Sequence, residues 1–140
     1  MKTPFTGGCE CGAIRYECTA GPILMFRCHC RDCQRTSGGP FVAALYVPKK
    51  AFTLTKGTLQ HHFTDSAALG QNKRGFCADC GSRISGGETD KRIGITAGSL
   101  DDPSWFHVQV DVHMADAQPW DQPDPAVPKF DRYPSWARVD

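Results

Sequence analysis

The chain has 140 residues, of which 40% are hydrophobic, and its sixteen basic and fifteen acidic residues leave a formal net charge of +1. That length is typical of one domain, and the balanced charge argues against a nucleic-acid-binding surface or a polybasic membrane patch. No apolar run approaches the ~20 residues needed to cross a bilayer, and the first residues lack a signal peptide's apolar segment. We therefore expect a single cytoplasmic domain over residues 1–140, with no nucleic-acid or membrane partner.

Short alternating or apolar runs, separated by glycine and proline, predict a mainly β fold with antiparallel sheets. The fourteen glycines and ten prolines indicate frequent turns and few long helices. A short apolar run at residues 23–26 leads into a cysteine-rich segment. The predicted strands are residues 13–18, 41–47, 51–55, 59–63, 92–96 and 108–114.

The connections between these strands are predicted to be short. Residues 51–55 and 59–63 look like a strand pair around Lys56-Gly57, whereas residues 36–40 and 66–72 look like turns. Helices are limited to one turn after Cys30 and another near residues 103–106. Residues 116–140 hold five of the ten prolines and four large aromatic residues, so we expect an extended tail packed on the core. Those aromatic residues are Trp120, Phe130, Tyr133 and Trp136.

Seven of the eight cysteines fall into three clusters, which are Cys9-Glu10-Cys11, Cys28-His29-Cys30-Arg31-Asp32-Cys33 and Cys77-Ala78-Asp79-Cys80. In a reducing compartment such close spacings favour metal ligands over disulfides. Structural zinc sites take four protein ligands, whereas catalytic sites take three and leave a position open. The two pairs therefore predict one closed structural site, and the triplet predicts a second site with an open position for water, a thiolate or a carbonyl oxygen.

Several alternatives compete with this division of ligands. Cys18, or one of the five histidines, would close the second site as a fourth ligand. However, Cys18 shares a strand face with Ile14 and Tyr16, so we expect it to be a small buried side chain. His29 lies between two ligands and should point away from the ion that they share. A redox dithiol at one of the pairs lacks the βαβ context typical of such motifs.

The clusters and their neighbours resemble the glutathione-dependent formaldehyde-activating (GFA) family. The resemblance rests on GCECGAIRY at residues 8–16, CHCRDCQRTSG at 28–38, RGFCADCGS at 74–82 and GSLDDP at 98–103, with Trp120 and residues 127–130. It implies coiled antiparallel sheets held by zinc, a structural zinc on Cys9, Cys11, Cys77 and Cys80, and a catalytic zinc on Cys28, Cys30 and Cys33. It also implies a carbon–sulfur lyase that reversibly adds glutathione to formaldehyde and forms S-hydroxymethylglutathione.

Other side chains near the cysteine clusters are candidate substrate contacts. Arg35, Lys73 and Arg74 are placed to pair with the carboxylates of glutathione, and Ser37 and Gly38 are placed to form a pocket wall. Two further function classes remain open, namely a zinc-stabilised protein-binding module with two structural sites, and a thiol redox or metal-buffering protein. A fourth ligand at the triplet would favour the module. Pairing through an edge strand would give a homodimer.

Overall fold

Two β-sheets build the fold, as seen in a computed structural model that describes residues 2–66 and 70–137. The smaller sheet has three strands in the order β1-β2-β5, and the larger has seven in the order β10-β3-β4-β9-β8-β7-β6. Every pair of neighbouring strands is antiparallel except β10 and β3, which are parallel. The elements are β1 Phe5–Gly8, β2 Arg15–Cys18, β3 Leu24–Cys28, α1 Arg31–Ser37, β4 Val42–Pro48, β5 Phe52–Lys56, β6 Gln60–Ser66, β7 Gly70–Phe76, β8 Arg83–Gly86, β9 Arg92–Thr96 and β10 Val110–Val112.

Side-chain alternation along the central strand β4 divides the core in two. Leu45 faces the first cluster, which the two sheets share and which includes Tyr16 and Ile95. Its neighbour Tyr46 faces the second cluster, on the opposite side of the larger sheet, together with Phe26. The mainly β, antiparallel prediction is confirmed. No helix among the described residues is long and apolar enough to span a membrane.

The predicted hairpin around Lys56-Gly57 is wrong, because its two strands belong to different sheets. β5 pairs with β2, whereas β6 pairs with β7. Gly57 has a φ of 78° and packs against the segment just before β2, where a Cβ would lie 2.2 Å from the carbonyl oxygen of Ala13. The chain therefore uses Gly57 to leave one sheet and enter the other, which strand periodicity cannot show.

Other predicted boundaries also shift. The predicted turn at 66–72 is largely strand, since β6 extends to Ser66 and β7 begins at Gly70; residues 67–69 lie outside the described residues. The predicted turn at 36–40 overlaps the end of α1, which has seven residues rather than one turn and is capped by Gly38 with a φ of 75°. Only Val110–Val112 of the predicted strand 108–114 is β structure.

The chain after residue 116 contacts the larger sheet in part. Phe130 donates its N–H to the carbonyl of Asp111 at 3.0 Å, which places this segment along β10. Tyr133 reaches the second core cluster, where its hydroxyl lies 2.9 Å from that of Tyr46. Trp120 and Trp136, by contrast, are 63% and 60% exposed, so two of the four predicted tail anchors lie mostly in solvent.

Candidate metal centre

Four cysteines from two distant segments meet at one edge of the smaller sheet. The thiols of Cys9, Cys11, Cys77 and Cys80 all lie within 4.8 Å of one another. The Sγ atom of Cys11 lies 3.7 Å from that of Cys9 and 3.8 Å from that of Cys77. A tetrahedron of sulfurs about 2.3 Å from a zinc ion has edges of roughly 3.8 Å. The four-thiol cluster therefore has the spacing that zinc requires.

The two halves of the four-thiol cluster share one local backbone pattern. Cys9 donates its N–H to the carbonyl of Ile14 at 3.1 Å, and Cys77 donates to the carbonyl of Ser82 at 3.0 Å. Gly12 and Gly81 follow the pairs with φ values of 81° and 78°, which only glycine adopts readily. The first pair lies in a turn, because β1 already ends at Gly8.

Hydrogen bonds to sulfur favour the thiolate at two positions of the four-thiol cluster, Cys9 and Cys80. The hydroxyl and N–H of Ser82 lower the pKa of Cys80 to about 6. Ile14 donates its N–H to the Sγ of Cys9 at 3.2 Å. Burial acts against ionisation of Cys9, but this bond and the neighbouring thiols outweigh it and hold the pKa of Cys9 below its usual value. Zinc binds the thiolate form, so these groups suit the metal.

The second cluster comes from a single short segment. Cys28 ends β3, Cys30 caps α1 and Cys33 lies in the first turn of that helix. Their sulfurs lie within 4.8 Å of one another, with Cys28 and Cys33 buried and Cys30 half-buried. Cys33 donates its N–H to the Sγ of Cys30 at 3.3 Å. The helix cap thus points one sulfur towards the other two, giving the donor set of a zinc site.

The three-thiol cluster has no fourth protein ligand within the described part of the chain, because no histidine, carboxylate or further cysteine joins it. Cys18 is fully buried in the first core cluster, where it donates its S–H to the carbonyl of Ala20 at 3.3 Å. The alternative that Cys18 closes this site is therefore wrong. Strand parity correctly placed Cys18 beside Ile14 and Tyr16.

Contacts among the three thiols shift their pKa values in opposite directions. Contacts with the thiols of Cys28 and Cys33, together with the N–H of Cys33, lower the pKa of Cys30 to about 2. Contacts with the thiols of Cys30 and Cys33, with burial, raise the pKa of Cys28 well above its usual value. Zinc binds the thiolate form, so it would displace the protons that these thiols carry.

Two arginines lie next to the three-thiol cluster. Arg74 is buried in β7, where its Nε donates to the hydroxyl of Thr64 at 3.1 Å. Its Nη1 lies 4.0 Å from the Sγ of Cys33. Arg83 begins β8, and burial, reinforced by the charge of Arg74, lowers the pKa of Arg83. Neither arginine forms an ion pair with a carboxylate of the described chain.

A cavity of about 490 Å³ is lined by residues that adjoin both cysteine clusters in the sequence. Thr36 and Ser37 line it from the end of α1, Arg83 lines it from β8, and Gly81 and Ser82 line it from the four-thiol segment. Ser37 also holds the turn after α1, because its hydroxyl donates to the carbonyl of Phe41 at 3.2 Å. The cavity has space for a small molecule next to the helix that carries Cys33.

Only some of the predicted substrate contacts lie at the cavity or at the three-thiol cluster. Ser37 lines the cavity, Gly38 ends α1 beside it, and Arg74 contacts the Sγ of Cys33. Arg35 is exposed on α1, and Lys73 pairs with Glu88 at 3.7 Å on the sheet face opposite to Arg74. Arg83 was missed because sequence spacing does not reveal the pairing of β7 with β8.

His29 lies in a buried network that the sequence did not reveal. Its side chain is fully buried, and its Nε2 lies 2.8 Å from Oδ1 of Asp111 in β10. Its Nδ1 lies 2.8 Å from Oδ2 of Asp121, close enough for a hydrogen bond but not aligned for one. Arg27 binds both carboxylate oxygens of Asp111, at 2.7 and 2.8 Å. As predicted, His29 points away from the sulfurs, and it ties the three-thiol segment to β10.

Comparison with known proteins agrees with this geometry. The chain is similar to the crystal structure of a Rhodobacter sphaeroides protein, with 22% sequence identity and a TM-score of 0.56 over 69% of this chain and 87% of that one. This likeness concerns the fold. The family model described as glutathione-dependent formaldehyde-activating enzyme matches residues 4–116, a range that contains both cysteine clusters, Arg74 and Arg83. The chain therefore belongs to the glutathione-dependent formaldehyde-activating enzyme family.

Proposed function

We propose that the protein is a zinc-dependent enzyme that adds a small thiol to an aldehyde and reverses that addition. By family, the pair is glutathione and formaldehyde, and the product is S-hydroxymethylglutathione, which is carbon–sulfur lyase chemistry. The observation that carries the proposal is the three-thiol cluster without a fourth ligand among the described residues. We assign Cys9, Cys11, Cys77 and Cys80 to a structural zinc, and Cys28, Cys30 and Cys33 to a catalytic one.

The reaction joins sulfur to the carbonyl carbon. The thiol sulfur attacks that carbon, the new S–C bond forms as the C=O π bond breaks, and the proton lost from the thiol ends on the oxygen. No electrons are gained or lost overall. Zinc held by the three thiolates would lower the pKa of a thiol at its free position and so supply a thiolate at neutral pH.

The protein's own residues orient the thiol and compensate its charge. The Arg74 guanidinium, with its Nη1 4.0 Å from Cys33 Sγ, adds positive charge beside the sulfurs. Ser37 lines the neighbouring cavity beside the helix cap Gly38, and Arg83 offers it a second guanidinium. Three anionic ligands weaken the polarising power of zinc, so positioning contributes more than carbonyl activation.

The test is zinc content per chain after dialysis against a mild chelator, with glutathione, with S-methylglutathione or with neither. We expect two zincs per chain before dialysis. One of them should be lost when no ligand is added or when S-methylglutathione is added, and it should be kept with glutathione, because only a free thiol fills the open position. The sample that keeps both zincs should speed adduct formation from glutathione and formaldehyde, followed by NMR, and the samples that have lost one zinc should not. Two equally inert zincs without acceleration would support the protein-binding module instead.

Three further expectations stay predictions. They are a cytoplasmic location, the lack of a nucleic-acid partner and a possible homodimer. A dimer through the larger sheet would use the edge strand β6, where Phe63 is 52% exposed. Sedimentation of the zinc-loaded protein would show whether it forms.

A further inference from the structure

The cavity beside α1 carries one charge. Arg83 is the single charged side chain among the described residues that line it, and the other lining residues are glycines, hydroxyl-bearing residues and apolar residues. The cavity volume of about 490 Å³ lies within the roughly 300–1,000 Å³ typical of small-molecule sites. Because no carboxylate lines the cavity to compensate the guanidinium, it suits a ligand that carries a negative charge.

The guanidinium of Arg83 has no partner in the described part of the chain. Its Nε is buried without a hydrogen-bond acceptor, and no described carboxylate forms an ion pair with it. Burial and the charge of Arg74 lower the pKa of Arg83, and the charge of Cys33 opposes them. Withdrawing a cation from water without a counter-charge is costly, and such groups normally find an anion.

The hydroxyl groups that line the cavity already donate to other atoms. Three of them donate to backbone carbonyls, which are Ser37 to Phe41 at 3.2 Å, Thr96 to Arg83 at 2.7 Å and Ser99 to Thr96 at 2.8 Å. Thr36 donates to the carbonyl of Cys33 at 3.4 Å. The hydroxyl of Ser82 lies 3.2 Å from the Sγ of Cys80 and lowers the pKa of that thiol. Among the side chains that line the cavity, this leaves the Arg83 guanidinium to donate hydrogen bonds to an anion.

A β-bulge turns Arg83 towards the side of the sheet that carries the thiols. Arg83 and Ser85 pair with two consecutive residues of β7, so Ile84 between them is an extra residue. Ile84 belongs to the first core cluster, and Ser85 pairs with Ile95 of that same cluster. Two consecutive side chains therefore face the first core, and Arg83 faces the opposite side, where Arg74 contacts the Sγ of Cys33.

Two lining residues connect the cavity to the three-thiol cluster. Ser37 lies four residues after Cys33 in α1, so both side chains lie on one face of the helix. Val42 pairs with Cys28 across β4 and β3, so these two side chains share one face of the larger sheet. The three-thiol cluster therefore adjoins the same cavity that Arg83 lines.

We propose that Arg83 binds a carboxylate of the thiol substrate in this cavity, and thereby selects an anionic thiol over a neutral one of similar size. Arg74, whose Nη1 lies 4.0 Å from the Sγ of Cys33, and Arg83 are diagonal neighbours across β7 and β8. Such neighbours lie about 7–8 Å apart, and a thiol in the middle of a tripeptide has its terminal carboxylates about two residues, or roughly 7 Å, away. The planar guanidinium binds a carboxylate through two parallel hydrogen bonds. This inference rests on the proposed function for its substrate, but its binding step can be measured separately.

The test compares Arg83→Gln with wild type on glutathione and on glutathione diethyl ester, which keeps the thiol and lacks both carboxylates. We expect the KM for glutathione to rise roughly 10- to 100-fold, the factor of one lost charge-assisted hydrogen bond. The KM for the ester should stay within about twofold of wild type, since the ester makes no such bond. Arg83→Lys should recover part of the loss. Lys91→Gln, which removes an exposed charge away from the cavity, should change neither KM.

Zinc content and the unfolding temperature control for a merely structural role. Both should be at least as high in Arg83→Gln as in wild type, because the substitution removes a cation that has no partner among the described residues. An equal rise in KM for both thiols at unchanged zinc content, or a wild type that treats glutathione and its ester alike, would overturn the inference.

A direct binding assay separates this inference from the proposed activity. S-methylglutathione keeps both carboxylates and has no free thiol. Titrated calorimetrically into zinc-loaded protein, it should bind wild type and lose affinity in Arg83→Gln. Binding that depends on Arg83 without adduct formation would reject the proposed function and keep the inference. Binding that is equal in the two proteins, or absent from wild type, would reject the inference and leave the proposed function standing.

Discussion

The two cysteine clusters differ in their exposure, their ligand number and the distance along the chain that they span. The four-thiol cluster joins two segments 66 residues apart, and Cys11 and Cys80 are exposed. The three-thiol cluster comes from six consecutive residues, and Cys28 and Cys33 are buried. The more exposed cluster is thus the one with a complete ligand set. The proposed function therefore rests on ligand number and not on exposure, because an open position and not an exposed sulfur lets a substrate bind zinc.

Removing one ligand from the four-thiol cluster should have the largest effect. We expect Cys77→Ala to prevent stable folding, because a structural zinc site contributes about 10 kcal/mol or more and a domain's total stability is only about 5–15 kcal/mol. Circular dichroism with zinc analysis measures this. A variant that lost one zinc yet unfolded cooperatively near the wild-type temperature would show that the four-thiol cluster is dispensable for the fold.

The matching change in the three-thiol cluster should separate activity from folding. Cys30→Ala should keep the fold and one zinc per chain, and reduce adduct formation to the uncatalysed rate, because two thiolates hold zinc poorly. Cys18→Ala is the control, and it should retain both zincs since Cys18 lies in neither cluster. If Cys18→Ala lost a zinc, or Cys30→Ala kept full activity, the assignment of the open site would be wrong.

A smaller effect is expected at the arginine beside Cys33. Arg74→Gln should leave both zincs bound and lower kcat/KM for glutathione about 10- to 100-fold, because a charge-assisted contact to sulfur is lost. Lys73 is next to Arg74 in the sequence but lies on the opposite sheet face, where it pairs with Glu88. Lys73→Gln should therefore change activity little. Equal losses in the two variants would mean that general positive charge, and not the position of Arg74, matters.

The smallest effect concerns the edge of the smaller sheet, away from the three-thiol cluster. Arg15 and Thr6 hold the pKa of Asp101 below its ordinary value. The ionised Asp101 carboxylate therefore stabilises the folded state above about pH 4. This stabilisation is lost as the pH falls through the lower pKa that Asp101 has in the folded protein. Asp101→Asn should cost about 0–1 kcal/mol at neutral pH, and the difference from wild type should shrink on acidification. A difference that grew in acid would contradict this sign.

How much of the site was predictable depended on where its residues lie along the chain. The cysteine grouping could be predicted because ligands come in close pairs or triplets, so that counting restricts the choices. Cys18 could be placed because strand parity is local. Arg83 and the partners of His29 could not, since each depends on strand pairing or on contacts between segments far apart in sequence. The predicted hairpin of β5 and β6 was wrong for the same reason, because the local sequence pattern of a hairpin does not reveal that the chain passes from one sheet to the other.

The sequence distance between the two cysteine pairs also bears on how the protein is made. During synthesis, the segment 28–33 leaves the ribosome with all three of its thiols, whereas the four-thiol cluster stays half-built until Cys80 has emerged. Chains emerge at about 5–20 residues per second, so the nascent protein displays an incomplete thiol pair at Cys9 and Cys11 for some seconds. In that interval Cys9 and Cys11 offer only two of the four ligands that a structural zinc site takes.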